Sequence, residues 1–443
     1  MPLSEPGFAI AVFQNEYLPE GGGQVNAIVT VTSPGTGLPA DHGGTDCAEV
    51  IIIDCSGSMA APSAKIEHAR KATCAAIDLI RDGVAFAVIK GTDQAHPVYP
   101  ESGELAAASA QTRDLAKLAV AELRPRGGTA IGRWLSLARQ IFLQSPAPIR
   151  HAILLTDGRD AHEPASELQR AIARCEGVFS CDCRGVGTDW QVAELRQIST
   201  ALLGTVDIVP DPAGLTADFE ALMGNAMSKQ TADVMLRVWT PQQAVLRFVK
   251  QVSPTVDDLT ERRRQVDPLT GDYATGAWGD GESRDYHICV QLTPEAVGQQ
   301  ALTARVSVVV GSQVAGEALV RAIWTDDLQR SGKVNEHVMH YARQAELARN
   351  SQDGVAALES GDEDTATHNL GRAVALAHQS GNETMLGLLA SVVDVIDAPT
   401  GTVRIKKRVA AGAAMALDAR SVVTKSAKRQ VGADDHRGGS PDD

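Results

Sequence analysis

The stretch Glu49-Val50-Ile51-Ile52-Ile53-Asp54-Cys55-Ser56-Gly57-Ser58-Met59 decides how this chain folds. Its first six residues form an apolar run closed by an acid, as expected of a strand buried on both faces of a parallel sheet. The segment from Ser63 to Ile80 follows, with apolar residues recurring at helical spacing. Downstream the alternation continues: strand 84–89, helices near 111–123 and 130–143, strand 151–157, a helix near 163–175, strand 178–186, a helix near 190–199, strand 205–210 and a helix near 214–228. Strands alternating with helices predict a doubly wound α/β domain over residues 47–228.

The flanks read differently. Residues 8–33 predict two strands around the glycine turn 21–23, and the Gly-, Pro- and Asp-rich stretch 34–48 reads as a linker. After Gln230 the chain returns to strands separated by turns, predicting a β-sandwich over 229–328. Residues 1–46 would supply its first strands, so that the α/β domain is inserted into the sandwich. From Val334 the pattern is helical, assigned to 329–400, with two stretches around Ser360-Gly361-Asp362 and a third near 383–397. This is similar to one helical hairpin of tetratricopeptide type. Residues 401–443 read as a basic and then disordered tail.

A chain of 443 residues accommodates two or three domains. Aromatic residues make up 4%, so the cores rest on Ala, Val, Leu and Ile. A net charge of −14 argues against general nucleic-acid binding, which needs a basic footprint. The local exception is Arg404–Arg429, with eight Lys or Arg against the single acid Asp418. The opening MPLSEPGFAIAVF lacks the basic and long apolar regions of a signal peptide, and no apolar window is long enough to span a membrane. Seven cysteines, an odd number, do not suggest a disulfide framework, so a cytoplasmic location is expected. Asn382-Glu383-Thr384 fits a glycosylation acceptor but means nothing in a cytosolic chain.

The chemistry gathers at strand ends, where open α/β sheets collect ligands. Asp54 closes one strand, and the turn after it can point the Ser56 and Ser58 hydroxyls at one spot. Asp157 closes a second strand, and the turn Gly127-Gly128-Thr129-Ala130 offers a third hydroxyl. Two carboxylates and three hydroxyls suit a hard cation such as Mg²⁺ and leave it incompletely neutralised, able to draw in a carboxylate from another molecule. Any one of these residues alone would read as an ordinary turn residue or helix cap; five in order are another matter.

Asp-x-Ser-x-Ser at 54–58, Thr129 in its glycine turn, and Thr156-Asp157-Gly158 after an apolar strand resemble the metal-ion-dependent adhesion site of von Willebrand factor type A domains, over roughly residues 47–228. The resemblance implies that Asp54, Ser56, Ser58 and Thr129 bind Mg²⁺ or Mn²⁺ directly or through water, and Asp157 through water. A type A domain set in a β-sandwich and followed by helices looks like bacterial intracellular members of the superfamily, in which the domain serves complex assembly. The expectation is a non-enzymatic interaction protein or scaffold whose partner supplies a carboxylate to the metal. The alternative is a metal-dependent hydrolase, or a regulatory subunit of an ATPase machine supplied by another chain.

Other candidates are weaker. Cys181 and Cys183 alternate on a strand near Cys175 and read as buried structural thiols. His162-Glu163 lacks the second histidine of a metalloprotease helix, and Gly185-Val186-Gly187 lacks the rest of a dinucleotide fingerprint. His68 and Asp160 are what a hydrolase could use as bases. The run Arg404-Ile405-Lys406-Lys407-Arg408 reads as a solvated face. Ser421, Thr424 and Ser426, set among basic residues, suggest phosphorylation read by a phosphothreonine-binding partner.

Overall fold

The structure, a computed structural model, describes residues 7–35 and 46–427. The chain starts with β1 (Ala9–Gln14), β2 (Tyr17–Pro19) and β3 (Gln24–Thr32), three strands where the sequence predicted two. The break falls at Asn15-Glu16, where the chain leaves one sheet and β2 pairs in the other.

The α/β domain follows: β4 (Cys47–Asp54), α1 (Ala64–Leu79), β5 (Ala85–Gly91), β6 (Ala95–Tyr99), β7 (Ala106–Ala107), α2 (Ala110–Ala121), α3 (Ile131–Phe142), β8 (Ile149–Thr156), α4 (Ala165–Cys175), β9 (Ser180–Val186), α5 (Val192–Ala201), β10 (Val206–Val209) and α6 (Leu215–Met227). Its sheet runs β10-β9-β8-β4-β5-β6, parallel from β10 to β5 and closed by antiparallel β6, with β7 also on β5. The β6 edge strand was not foreseen, because His96 and Pro97 break its apolar pattern. Every residue of β4 is buried. Ile51 and Ile53 pack with α1 and α6, whereas Val50 and Ile52 pack with Trp134, Leu135 and Leu168 on the opposite face. That two-sided burial, about 1.5–3 kcal/mol for each large aliphatic side chain, is why the run is continuously apolar.

The chain continues with β11 (Lys229–Thr231), β12 (Val234–Trp239), β13 (Ala244–Ser253), β14 (Asp257–Asp258), β15 (Arg264–Asp267), β16 (Thr270–Ala274), β17 (Trp278–Gly279), β18 (Ser283–Leu292), β19 (Gln300–Val310) and β20 (Gln313–Thr325). One sheet of the sandwich is ordered β1-β3-β18-β13-β14 and the other β15-β16-β12-β19-β20-β2. Strands β11 and β17 pair with each other as a separate ribbon, and the α/β domain is inserted between the sandwich strands β3 and β12. Alternate residues Val25, Ala27, Val29 and Val31 of β3 face the shared core with Val306 and Val308 of β19. Ile28 points the other way, onto Val338 and Tyr341 of the following helix.

The C-terminal region contains α7 (Leu328–Ser331), α8 (Glu336–Ser360), α9 (Glu363–Gln379), α10 (Glu383–Val392), β21 (Val393–Asp397), β22 (Thr402–Ile405) and α11 (Ala411–Arg420). Gly361, at φ 80°, caps α8 in the left-handed conformation, and the Asp362 side chain caps α9. The third helix ends at Val392, short of the predicted 397. Val393-Asp394-Val395 alternates as a strand and pairs with β22. Past residue 400 the basic stretch forms this hairpin and α11. That helix inserts Met415, Ala416 and Ala419 into the α/β core and Leu417 into the helical core. Residues 421–427 continue onto the sandwich, where Val256 N donates to Val422 O at 2.7 Å. The predicted disorder of the last dozen residues lies outside the described residues.

Candidate metal centre

The five candidate residues meet at one end of the parallel sheet. Asp54 is fully buried, with Oδ1 accepting from Ser56 N at 2.7 Å and Oδ2 from Thr156 Oγ1 at 2.6 Å. These bonds fix the carboxylate plane from behind, as outer partners of metal ligands do. The turn after β4 is pinned to the glycine loop: Gly57 N donates to Gly127 O at 3.0 Å and Arg126 N to Cys55 O at 2.7 Å. Gly127 has φ 79°, and a Cβ there would stand 2.5 Å from Asp93 Oδ1, so glycine is required. Thr129 is held from both sides by His162: Thr129 N donates to Nδ1, and His162 N donates to Thr129 O, each at 3.0 Å.

Within this frame the donors converge. Ser56 Oγ and Ser58 Oγ are 2.9 Å apart, and Ser58 Oγ donates to Asp157 Oδ1 at 2.6 Å. Gly158 sits beside them, with the position of an added Cβ 3.4 Å from Thr129 Oγ1 and 3.6 Å from Ser58 Oγ. Neighbouring oxygens of an octahedron with bonds of about 2.1 Å stand about 3.0 Å apart, so the spacing fits a small hard cation. Ser58 is exposed while Asp54, Ser56, Thr129 and Asp157 are buried, which leaves one side of the cluster open. Burial pushes the Asp54 carboxyl up to about 6 against its hydrogen bonds to Ser56 and Thr156, with the nearby Asp157 charge adding to the rise. Such a group gives up its proton more readily when a cation takes its place.

Lys65 was missed by sequence reasoning. Its Nζ lies 2.6 Å from Asp157 Oδ2 and 3.5 Å from Asp189 Oδ2, and its side chain is 8% exposed. Burial alone would lower its pKa, but the Asp157 hydrogen bond and charge outweigh that and hold it above the ordinary value. The available signal was a lysine on the buried face of α1, beside Ile66 and Ala69. The roles of Thr156 and His162 in positioning Asp54 and Thr129 were also not foreseen.

The remaining candidates fall elsewhere. Asp160 accepts from Ile131 N at 3.3 Å, and burial together with the neighbouring Glu163 pushes it up to about 8. Cys181 and Cys183 are fully buried with their sulfurs 4.0 Å apart. Gly185 makes room for Trp190, whose indole covers it. Ser421 is buried and donates to Asp418 O at 2.8 Å. Thr424 Oγ1 donates to Val252 O at 2.7 Å and Pro254 O at 3.1 Å, and Ser426 is exposed. Among the described residues no three of His, Cys, Asp and Glu group as a metal site, so a cation here depends on hydroxyls.

At the opposite end of the sheet His151 bridges two buried acids, with Nδ1 2.9 Å from Glu49 Oε1 and Nε2 2.9 Å from Asp182 Oδ2. Burial would lower the imidazole pKa, but the two carboxylates raise it to about 10, so it is a cation at neutral pH. Adjacent ion pairs tie α11 to the α/β domain: Arg196 to Asp418 at 2.9 Å and Arg420 to Asp207 at 2.8 Å.

A doubly wound α/β domain inserted in a β-sandwich, with acids and hydroxyls gathered at its strand ends, places the molecule among type A domain proteins. The chain belongs to the von Willebrand factor type A family. The family's type A domain matches residues 49–208, and its type A C-terminal domain matches residues 375–421, from the end of α9 through α10, β21, β22 and α11. The von Willebrand factor type A protein from Catenulispora acidiphila is 48% identical, covering 95% of this chain and 98% of that one, with a TM-score of 0.90. The ArnB paralog VWA2 from Sulfolobus acidocaldarius has a TM-score of 0.58 at 12% identity, covering 94% of this chain and 98% of that one. The human COPII-coat protein Sec24c has a TM-score of 0.52 at 8% identity, covering 90% and 60%. The last two show the fold alone. No curated protein matches the sequence. Among the described residues no helix is long and apolar enough to cross a membrane.

Proposed function

We propose that this protein is a non-enzymatic interaction module or scaffold that binds a partner through a divalent cation, Mg²⁺ or Mn²⁺. Asp54, Ser56, Ser58 and Thr129 would hold the ion directly or through water, and Asp157 through water. The observation that carries this reading is the convergence of Ser56, Ser58 and Asp157 oxygens within 2.6–2.9 Å at the open end of the sheet. When bound, the ion supplies an electrophilic position that a carboxylate can fill. The protein's part is to fix the donors and to present Ser58 at the surface, beside exposed Arg126 and Arg159. Those two cations favour an acidic partner by steering.

Seven free cysteines support a reducing compartment such as the cytoplasm. A phosphothreonine-reading partner at the tail would require Thr424 to leave both of its carbonyl acceptors, whereas Ser426 is already exposed. The test of the main reading is a pull-down from host lysate with wild type and Asp54→Ala, each with and without EDTA. Partners lost under both perturbations support metal-bridged binding. A partner set unchanged by either refutes it.

A further inference from the structure

We propose that Lys65 is a built-in counter-cation of the metal centre, which weakens binding of the metal alone and couples its uptake to the arrival of an anionic, carboxylate-bearing ligand. This rests on the metal-site reading above.

Lys65 lies in the first turn of α1, which begins six residues after Ser58, and helical side chains lean toward the helix N-terminus. Its ammonium is therefore directed back over the donor cluster instead of out to solvent, where a lysine normally places its charge. The two oxygens of Asp157 divide their work: Oδ1 accepts from Ser58 and Oδ2 takes the ammonium. The inner groups Asp54, Asp157 and Lys65 sum to one negative charge, since the hydroxyls add none. A dication then leaves one net positive charge; the two carboxylates by themselves balance it in formal charge, so the incomplete neutralisation expected from the sequence arises only through Lys65. Asp189 is 72% exposed, so water and salt screen its compensation. In a site this buried, a residual positive charge is costly until an anion fills the open position. Metal and carboxylate ligand thus bind cooperatively, each with little affinity alone.

A lysine that merely oriented Asp157 would act as an outer positioning partner, and its loss would lower metal affinity by about 10–100-fold. A counter-cation acts with the opposite sign. The experiment is Mn²⁺ titration of the full chain, followed by calorimetry and Mn²⁺ electron paramagnetic resonance, for wild type, Lys65→Met and Lys65→Arg. Removing the like charge should tighten Mn²⁺ binding by about tenfold or more, and Lys65→Arg should behave as wild type. Acetate, as a carboxylate probe, should tighten Mn²⁺ binding to wild type more than to Lys65→Met. Should Lys65→Met not fold, Lys65→Gln keeps a donor for Asp157 and serves the same comparison. Mn²⁺ binding that is unchanged or weaker in the neutral variants overturns the counter-cation role and leaves the metal site standing. Absence of Mn²⁺ binding in folded wild type and neutral variants alike overturns both.

Discussion

Asp54→Asn should strengthen the metal-free fold while abolishing its response to metal. Asp54 is fully buried, and burial lifts its carboxyl from 3.8 to about 6. The native chain therefore holds this proton more tightly than the unfolded chain does. A raised folded-state pKa contributes stability that is fully present below the unfolded value of 3.8 and is lost as pH rises through about 6. Roughly two units at 1.36 kcal/mol each put the loss at about 3 kcal/mol by neutral pH. Asparagine carries no charge to desolvate. Its carbonyl can still accept from Ser56 N, and the Thr156 hydroxyl can turn to Gly158 O, 3.3 Å away. In urea unfolding with EDTA, the variant should exceed wild type by about 3 kcal/mol near pH 7.5 and by only about 1 kcal/mol near pH 4.5. Added Mg²⁺ should stabilise wild type and leave the variant unchanged. A variant less stable than wild type in EDTA near pH 7.5, or a difference that does not shrink on acidification, would refute the reasoning.

Two further outcomes test the frame around the site. His151→Leu leaves Glu49 and Asp182 buried without their shared cation and should cost about 3–5 kcal/mol in urea unfolding at neutral pH. Because the His151 pKa is raised to about 10, its contribution is present below 6.5 and disappears as pH rises through about 10, so the difference should narrow there; a loss under about 1 kcal/mol at neutral pH would sink the assignment. Gly185→Ala places a Cβ 1.8 Å from the Trp190 ring and should lower stability by about 1–3 kcal/mol, with a change in tryptophan fluorescence as the indole moves. An unaltered melting temperature and spectrum would show that the indole has room to spare.

Much of the α/β domain was legible because its signals are local. The run 49–54 declares a strand buried on both sides, and the Asp and Ser residues after it sit in the turn whose own backbone aims them. Thr129 and Asp157 were readable for the same reason, each standing where a strand or loop gives way to the next element. Strand β6 was not, since His96 and Pro97 conceal an edge strand that needs only one covered face. Nor was the switch from α10 to β21 at Val393, where the alternation Val393-Asp394-Val395 is too short to stand out from the helical run before it and only pairing with β22 settles it as a strand.

Sequence alone singled out the five oxygen-bearing residues that meet at the sheet end, because short turns at strand ends bring them into place, and the hard-cation reading proposed for them rests on their chemistry. Tertiary structure decided what surrounds them. Lys65 and Asp157 are 92 residues apart, and only the packing of α1 across the sheet puts the ammonium against that carboxylate. His151 reaches Glu49 only because β4 and β8 are neighbours in the sheet. Likewise Arg196 and Asp418, 222 residues apart, meet only when α11 docks on the α/β domain. Charges act over distance in space and not along the chain, so the electrostatic character of this site appears only once the fold has closed.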